Sequence, residues 1–478
     1  YLEEEESGGN TSSGPAFPVL ANYAPAFPGA VGYGRNADGA RGSNNREIYV
    51  VTNLNNSGAG SLRDAVSQAN RIIVFNVSGV IDLNKEVLVF KDNQTVLFQT
   101  APGDGIELYN GRTSSTNANN LIVRYMRMRT GRQVSGSDNI DAGGAAYGHD
   151  QIYDHCSFTW GTDECFSLNN DKQPKGLYNI TLQNSILGQG CQNHSCGGLV
   201  QTSDEEGVTV FRNLFIDNKT RNFKVKGLNQ FVNNVIYNWG PVLGCYGGGG
   251  GSYNFVNNYY KPGPATNEKP AIAGRITQAG VDDTFFEHGV FYLSGNRFDY
   301  TSPYLGSKAQ QNAKASDEDN YEGLHIVESE YATKDDYIAD REFVVRPTTT
   351  HTAEIAYEKV LRYGGCCLRR DAIDERVAND VRTGGYSYVS GDKGSNGSTG
   401  GLIDAPEDVG GYVEYTATEL EMRNKLDSDG DGIPDYWETQ YGLNKDYAAD
   451  GNLKTVDENG EYTNLEMYLN SLVQDIMD

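Results

Sequence analysis

From Leu121 to Phe298 the chain repeats one small pattern: a burst of apolar or alternating residues, a polar residue at a turn, then a second short apolar burst. The repeats are Leu121-Ile-Val-Arg-Tyr, Gln151-Ile-Tyr-Asp-His-Cys-Ser-Phe, Ile180-Thr-Leu-Gln-Asn-Ser-Ile and Val208-Thr-Val-Phe-Arg-Asn-Leu-Phe. Gln230-Phe-Val-Asn-Asn-Val-Ile, Asn254-Phe-Val-Asn-Asn-Tyr-Tyr and Tyr292-Leu-Ser-Gly-Asn-Arg-Phe continue the series. Tyr125, His155, Asn184, Asn213, Asn234, Asn258 and Asn296 hold similar places, separated by 30, 29, 29, 21, 24 and 38 residues. Alternation at period two reads as strands, and an irregular spacing of this size fits a solenoid whose coils carry loops of varying length. Asparagines stacked from coil to coil can hydrogen-bond along the ladder, a structural role.

Ahead of the repeats, strands are expected at 47–52, 71–75, 77–81, 87–90 and 95–98. Residues 60–66 read as a short helix with Ser61 as its N-cap, placed to cover the open end of the strand stack. The Gly-rich run from Phe27 reads as a turn-rich cap, because no helix opening follows it to cradle a phosphate. After the repeats, 301–345 reads as irregular loops packed along the solenoid, and 352–363 and 371–382 read as helices. Residues 384–401 form a Gly/Ser-rich boundary. The expected organisation is a flexible acidic tether over 1–26, an all-β solenoid domain over 27–400 with short helices at its N-terminal cap and C-terminal side, and a C-terminal segment over 401–478.

That last segment contains Asp427-Ser-Asp-Gly-Asp-Gly-Ile-Pro-Asp-Tyr-Trp-Glu438. Asp427, Asp429, Asp431, Asp435 and Glu438 stand at positions 1, 3, 5, 9 and 12 of a twelve-residue calcium loop with Gly432 at position 6, so a bound Ca²⁺ serving as a stabilising clip is expected. Asp457-Glu-Asn459-Gly-Glu461 reads as a partial second loop.

Composition adds constraints. Among 478 residues there are 57 Gly and 31 Tyr but only 5 Met, which favours turns and strands over helix bundles. A net charge of −25 excludes nucleic acid or an anionic membrane held by bulk attraction, and an acidic polymer would need a local basic patch or bridging cations. Residues 427–478 carry 13 acids against 2 bases, so much of the acidity is segregated. Seven cysteines are too sparse for a disulfide framework; buried thiols with one bridge are expected, Cys191 and Cys196 being the first pair to inspect. No apolar run reaches the roughly 18 residues of a membrane span. The opening Tyr1-Leu-Glu-Glu-Glu-Glu-Ser resembles the start of bacterial surface lipoproteins, which implies a secreted or surface protein, lipid-anchored at its N-terminus.

Five stretches together resemble the pectate lyase family of polysaccharide lyases: Phe27-Pro-Gly-Ala-Val-Gly-Tyr-Gly, the run Tyr49 to Val66, Arg71-Ile-Ile-Val-Phe-Asn-Val-Ser-Gly, Gln99-Thr-Ala-Pro-Gly-Asp-Gly-Ile and Tyr153-Asp-His-Cys-Ser-Phe-Thr-Trp-Gly-Thr-Asp-Glu. The resemblance covers about residues 27–400. It implies a right-handed parallel β-helix, a groove along one face, and calcium-assisted β-elimination of polygalacturonate, the homogalacturonan of plant cell walls, by a monomer. It places calcium ligands at Asp154 and Asp163, with Glu164 as a substitute for a carboxylate absent at Ser167, provided 163–164 sit in a bend. Arg221-Asn-Phe-Lys-Val-Lys226 is similar to the family's catalytic motif, which makes Arg221 the base and Lys224 and Lys226 substrate cations. His194-Ser-Cys196 falls on a family His-x-Lys motif, so Cys196 replaces a substrate lysine. Trp160 and Trp239 read as core, while Arg124, Arg127, Arg129 and Arg132 fit either a basic groove or a solvated face. His149, His155 and His194 have no Ser or Cys arrangement of a hydrolytic triad. Two rivals stay open: a glycoside hydrolase on the same fold, for which Asp163 and Glu164 are the only close pair, and a β-helix that binds pectin without cutting it.

Overall fold

The computed structural model describes residues 24–131, 139–170, 176–192, 194–202, 206–240, 244–266, 274–279, 288–327, 332–389 and 399–476. Arg132, nearly all of the expected tether and half of the Gly/Ser-rich boundary lie outside these residues.

Each burst of the repeat becomes one strand, and every pairing between named strands is parallel, so the chain coils as a parallel β-helix. One wall is a nine-stranded sheet that runs from Gly79–Asp82 through Arg127–Arg129, Ser157–Thr159 and Ile186–Gly188 to Arg297–Phe298. The other two walls are arms of a single thirteen-stranded sheet. Its long arm runs from Glu47–Val51 through Leu121–Arg124, Gly148–Asp154, Leu177–Gln183 and Val208–Phe211. Its short arm is Gly143–Ala145, Glu164–Asn169 and Cys196–Gln201. The nine-residue strand Lys224–Val232 joins the arms: Lys224 to Lys226 pair with Leu199 to Gln201, and Asn229 to Val232 pair with Val208 to Phe211.

Between the bursts the chain turns through left-handed residues, Tyr125, His155, Asn184, Arg212, Asn233 and Asn257, with φ between 50° and 60°, and Gly295 at 66°. The stacked amides form the next column. Asn213, Asn234, Asn258, Asn296 and Asn320 each accept from the backbone N–H of the coil before, at 2.8–3.0 Å. Ser185 continues the column by accepting from the Cys156 N–H. The expected single ladder is therefore two adjacent columns: Tyr125, His155 and Asn184 belong to the turn and Asn213 onward to the ladder. Tyr125 and His155 stack 4.9 Å apart in the turn column.

Inward residues of the three walls fill a continuous core that includes Trp239, while Trp160 is buried against Cys191 and Ile403 outside it. Leu62–Val66 closes one end, with Ser61 accepting from the Asp64 N–H. The outer face of the long arm is covered too, as parallel strands require. Thr181 and Thr209 accept from the backbone N–H groups of Gly34 and Tyr33, and a side chain at Gly34 would strike the Gln151 carbonyl. The Gly-rich run thus exists for close approach.

The helices Ala353–Tyr363 and Ala372–Thr383 form as expected, capped by Thr352 and Asp371. The 301–345 expectation is corrected: Ser307–Glu318 is a helix that buries Ala309 and Ala313 against the core. Its buried face is small, so the sequence shows little period. The three described arginines follow neither expectation. Arg124 is buried against Asp154 at 2.9 Å, and Arg129 is buried among Glu107, Asp371 and Asp374 at 2.9, 2.6 and 3.0 Å. Arg127 is buried beside Asp371. All seven cysteines are free thiols, Cys191 and Cys196 included. Among the described residues no helix is long and apolar enough to cross a membrane.

Candidate active site

The short arm turns its outer face to an open cavity of about 320 Å³. Strand register fixes what lines it. Ser167, Leu199 and Lys224 stand side by side on neighbouring strands, and Asn169, Gln201 and Lys226 form the row beyond. Cys165, Phe166 and Leu168 all enter the core, so the in–out alternation breaks and Glu164 faces the same cavity as Ser167.

Three carboxylates converge at one end. Asp141, just ahead of Gly143–Ala145, accepts from the Glu164 N–H at 3.2 Å. Asp163 lies in the bend that precedes Glu164–Asn169, its N–H donating to the Ile140 carbonyl at 3.2 Å. The bend turns Asp163 and Glu164 to the same side, and one oxygen from each of Asp141, Asp163 and Glu164 lies within 4.8 Å of the others. Arg221 sits in a left-handed turn, φ 55°, just before the strand that carries Lys224. Its guanidinium pairs with Glu164 and stands 3.9 Å from Asp163. His194 Nδ1 is 2.6 Å from Asp163, with Cys196 in the same group.

Burial raises the Glu164 carboxyl well above its ordinary range, the neighbouring Asp163 and Asp141 push the same way, and Arg221 opposes them. Burial raises Asp141 as well. Three acids that crowd one another in this way suit a further cation. The three carboxylate oxygens are the donors a hard ion such as Ca²⁺ prefers, while His194 and Cys196 group with Asp163 alone.

The sequence expectations for this site divide. Asp163, Glu164, Arg221 and Lys224 come together around the cavity, and Lys226 lies one row farther on. Asp154 does not join them. It is buried in the long arm, paired with Arg124 and with His155 at 2.8 Å, and it accepts from Gln183 and Asn184. Burial alone would raise its carboxyl, but His155 and Arg124 hold it well below the usual range. With its oxygens committed there, its place in the acid cluster is taken by Asp141. The only signal for Asp141 was its position just before a strand, as with Asp163, and the surrounding glycines hid that strand.

In the C-terminal segment Asp427, Asp429 and Asp431 gather, and Asp431 also meets Glu438 and Asp450. Asp435 turns away to accept from the Ser428 N–H and Oγ at 2.8 and 2.7 Å. Asp450, outside the twelve-residue motif, stands in its stead. In the expected partial second loop, Asp457 accepts three backbone N–H groups of its own turn.

Fold and groove together define a class, an enzyme built on a parallel β-helix with a carboxylate-and-arginine groove. Probable pectate lyase C of Aspergillus flavus is 41% identical over 452 residues, 94% of this chain and 94% of that protein. Its counterpart in Aspergillus fumigatus is 41% identical over 461 residues, 96% of each. The chain belongs to the pectate lyase family. No family model matches the chain. Among solved structures, the cedar-pollen allergen jun a 1 is similar at 16% identity and TM-score 0.48, over 70% of this chain and 92% of that one. A pectate lyase from Paenibacillus sp. 0602 is similar at 10% identity and TM-score 0.48, over 72% and 97%.

Proposed function

We propose that this groove cleaves α-1,4-linked polygalacturonate by calcium-assisted β-elimination, releasing unsaturated oligogalacturonates, and that the protein acts as a monomer outside the cell, secreted or at its surface. The observation that carries the reading is Arg221 paired with Glu164 beside Asp163, with Asp141 gathered to the same two acids, in one open cavity. The aspartates and Glu164 are the residues that would hold the calcium ion. When bound there, calcium supplies positive charge that neutralises the uronate carboxylate and acidifies the α proton.

The chain's own residues do the rest. Arg221 accepts the proton from the carbon α to the carboxylate. The electron pair of that bond forms the new carbon–carbon double bond, the glycosidic carbon–oxygen bond breaks, and the leaving oxygen takes a proton from solvent. An arginine paired with a carboxylate keeps its proton, so Arg221 serves as base only once Glu164 is engaged elsewhere. Lys224, on the same cavity, disfavours the charged form further. Alkaline activity follows. Lys224 and Lys226 give the polymer's carboxylates their cations. Hydrolysis is less well supported, because the acids share one spot within 4.8 Å instead of flanking a bond.

The test is ultraviolet absorbance from unsaturated uronates at alkaline pH, with calcium or with chelator. The reading expects a calcium-dependent signal that falls about 10²- to 10⁴-fold in Arg221→Ala. Chelator-resistant release of saturated products, or an Arg221→Ala enzyme of unchanged rate, would overturn it.

A further inference from the structure

The C-terminal segment gathers buried carboxylate oxygens that no protein donor satisfies. Asp429 Oδ2, Asp431 Oδ2, both oxygens of Glu438 and Asp450 Oδ1 are buried without a hydrogen-bond partner. Asp431 is 1% exposed and Glu438 is fully buried. No ion pair to any of these acids occurs among the described residues. Unpaired carboxylates packed this closely repel one another and have lost their water, a cost that a bound cation offsets and that otherwise drives them to take up protons.

The other oxygens of the same residues fix the group. Asp431 Oδ1 accepts from the Ile433 N–H at 2.8 Å, Asp429 Oδ1 from the Asp431 N–H at 3.3 Å, and Asp450 Oδ2 from the Asn444 N–H at 2.8 Å. Asp427 borders the group while accepting from Gly430 and Gly432. Gly451 lets the second loop come close, since a Cβ there would lie 2.2 Å from Asp431 Oδ2.

We propose that these residues form a second divalent-cation site, separate from the groove, in which Asp450 rather than Asp435 closes the coordination and the bound ion fastens the C-terminal segment over the first coils. Five free oxygens from four carboxylates, with no nitrogen or sulfur, suit calcium's six to eight oxygen ligands. The ion joins the loop 427–438 to the turn Asp450–Asn452. That turn is tied in sequence and by hydrogen bond to the last helix, because the Asp450 carbonyl accepts from Asn464 Nδ2 at 2.8 Å. Ile433, Trp437, Leu465, Tyr468 and Leu469 then pack on Ile72, Val74 and Leu97 of the long arm. Arg41 pairs with Glu466 at 2.9 Å on the same contact. The ion therefore holds down a cover that keeps those first strands dry.

Calcium stoichiometry and terbium luminescence excited through Trp437, measured on the full chain, test this. The wild-type protein is expected to bind two calcium ions and Asp163→Asn one, with the terbium signal kept. Asp450→Asn and Glu438→Gln are each expected to lose the terbium signal and at least tenfold in affinity at one site. Both should also abolish the part of the calcium-dependent rise in Tm that Asp163→Asn retains. Asp435→Asn is expected to bind as the wild type does. Loss of the signal in Asp435→Asn with retention in Asp450→Asn would overturn the proposal, as would a single calcium ion in the wild type that Asp163→Asn removes. Neither result depends on the lyase chemistry of the groove.

Discussion

Replacing Asp141 by asparagine separates the acid cluster built by the fold from the one implied by resemblance. Asparagine keeps the shape and the oxygen that accepts from the Glu164 N–H at 3.2 Å, so the strand entry survives. One of three negative charges is lost. Ligand atoms within 4.8 Å of one another leave the centre of their triangle at most about 2.8 Å from each, close to the roughly 2.3–2.6 Å of a calcium–oxygen bond. Two unit charges about 4 Å apart interact by about 4 kcal/mol at an effective dielectric constant of 20. The remaining amide oxygen and entering water offset part of that, so calcium affinity should fall about 100-fold, or about 2.8 kcal/mol. Asp154→Asn makes the opposite prediction. Removing its charge leaves Arg124 buried and uncompensated, which costs about 3–5 kcal/mol of stability, while the calcium needed for half-maximal rate stays as in the wild type. Calcium titration of the lyase rate, with thermal unfolding of each variant, reads both. A groove calcium constant that moves less than threefold in Asp141→Asn and 100-fold in Asp154→Asn would refute the geometry.

Much of the coil was legible because burial on both sides of a parallel sheet leaves a strong apolar signature, as in Ile180 and Leu182 or Val208 and Val210. The ladder register was not. Where two asparagines are adjacent, at 233–234 and 257–258, one takes the left-handed turn and the other the ladder, and nothing in composition says which. Asn213 has Arg212 as its turn partner, so counting from Asn184 slips by one. Asp163, Glu164 and Arg221 were readable through motifs of fixed spacing. Asp141 and Asp450 were not, since each reaches its cluster from another loop, and only tertiary contact brings it there. Asp154 misled for a related reason: an acid beside His155 looks available in sequence, whereas Arg124, 30 residues earlier, pairs with it one coil away.

Three further predictions bear on the coil and the groove. Asn234→Ala leaves the Asn213 N–H and the Val210 carbonyl buried without their partners, and at about 1–3 kcal/mol each it should lose about 2–6 kcal/mol in denaturant unfolding, with little change in calcium binding. Leu199 and Gln201 give the middle strand of the groove a neutral face beside Lys224 and Lys226, so Leu199→Lys should shift preference two- to fivefold from partly methyl-esterified pectin toward polygalacturonate in competition assays. The last concerns pH. Burial alone would push His155 down, but Asp154 at 2.8 Å outweighs it and raises its pKa from 6.5 to about 9. A group whose folded pKa is raised binds its proton more tightly in the native state. Its stabilisation, roughly 3 kcal/mol at about 1.4 per unit, is fully present below pH 6.5 and is lost as pH rises to about 9. Asparagine tolerates the left-handed backbone at position 155, φ 52°, so His155→Asn should be less stable than the wild type at pH 6 and show a flatter decline toward pH 9. The measurement is made at saturating calcium, so that ions at the two proposed sites would keep the groove and C-terminal acids ionised throughout. Equal slopes for the two proteins across that range would mean that His155 is already neutral at pH 6.5 and that Arg124 alone balances Asp154.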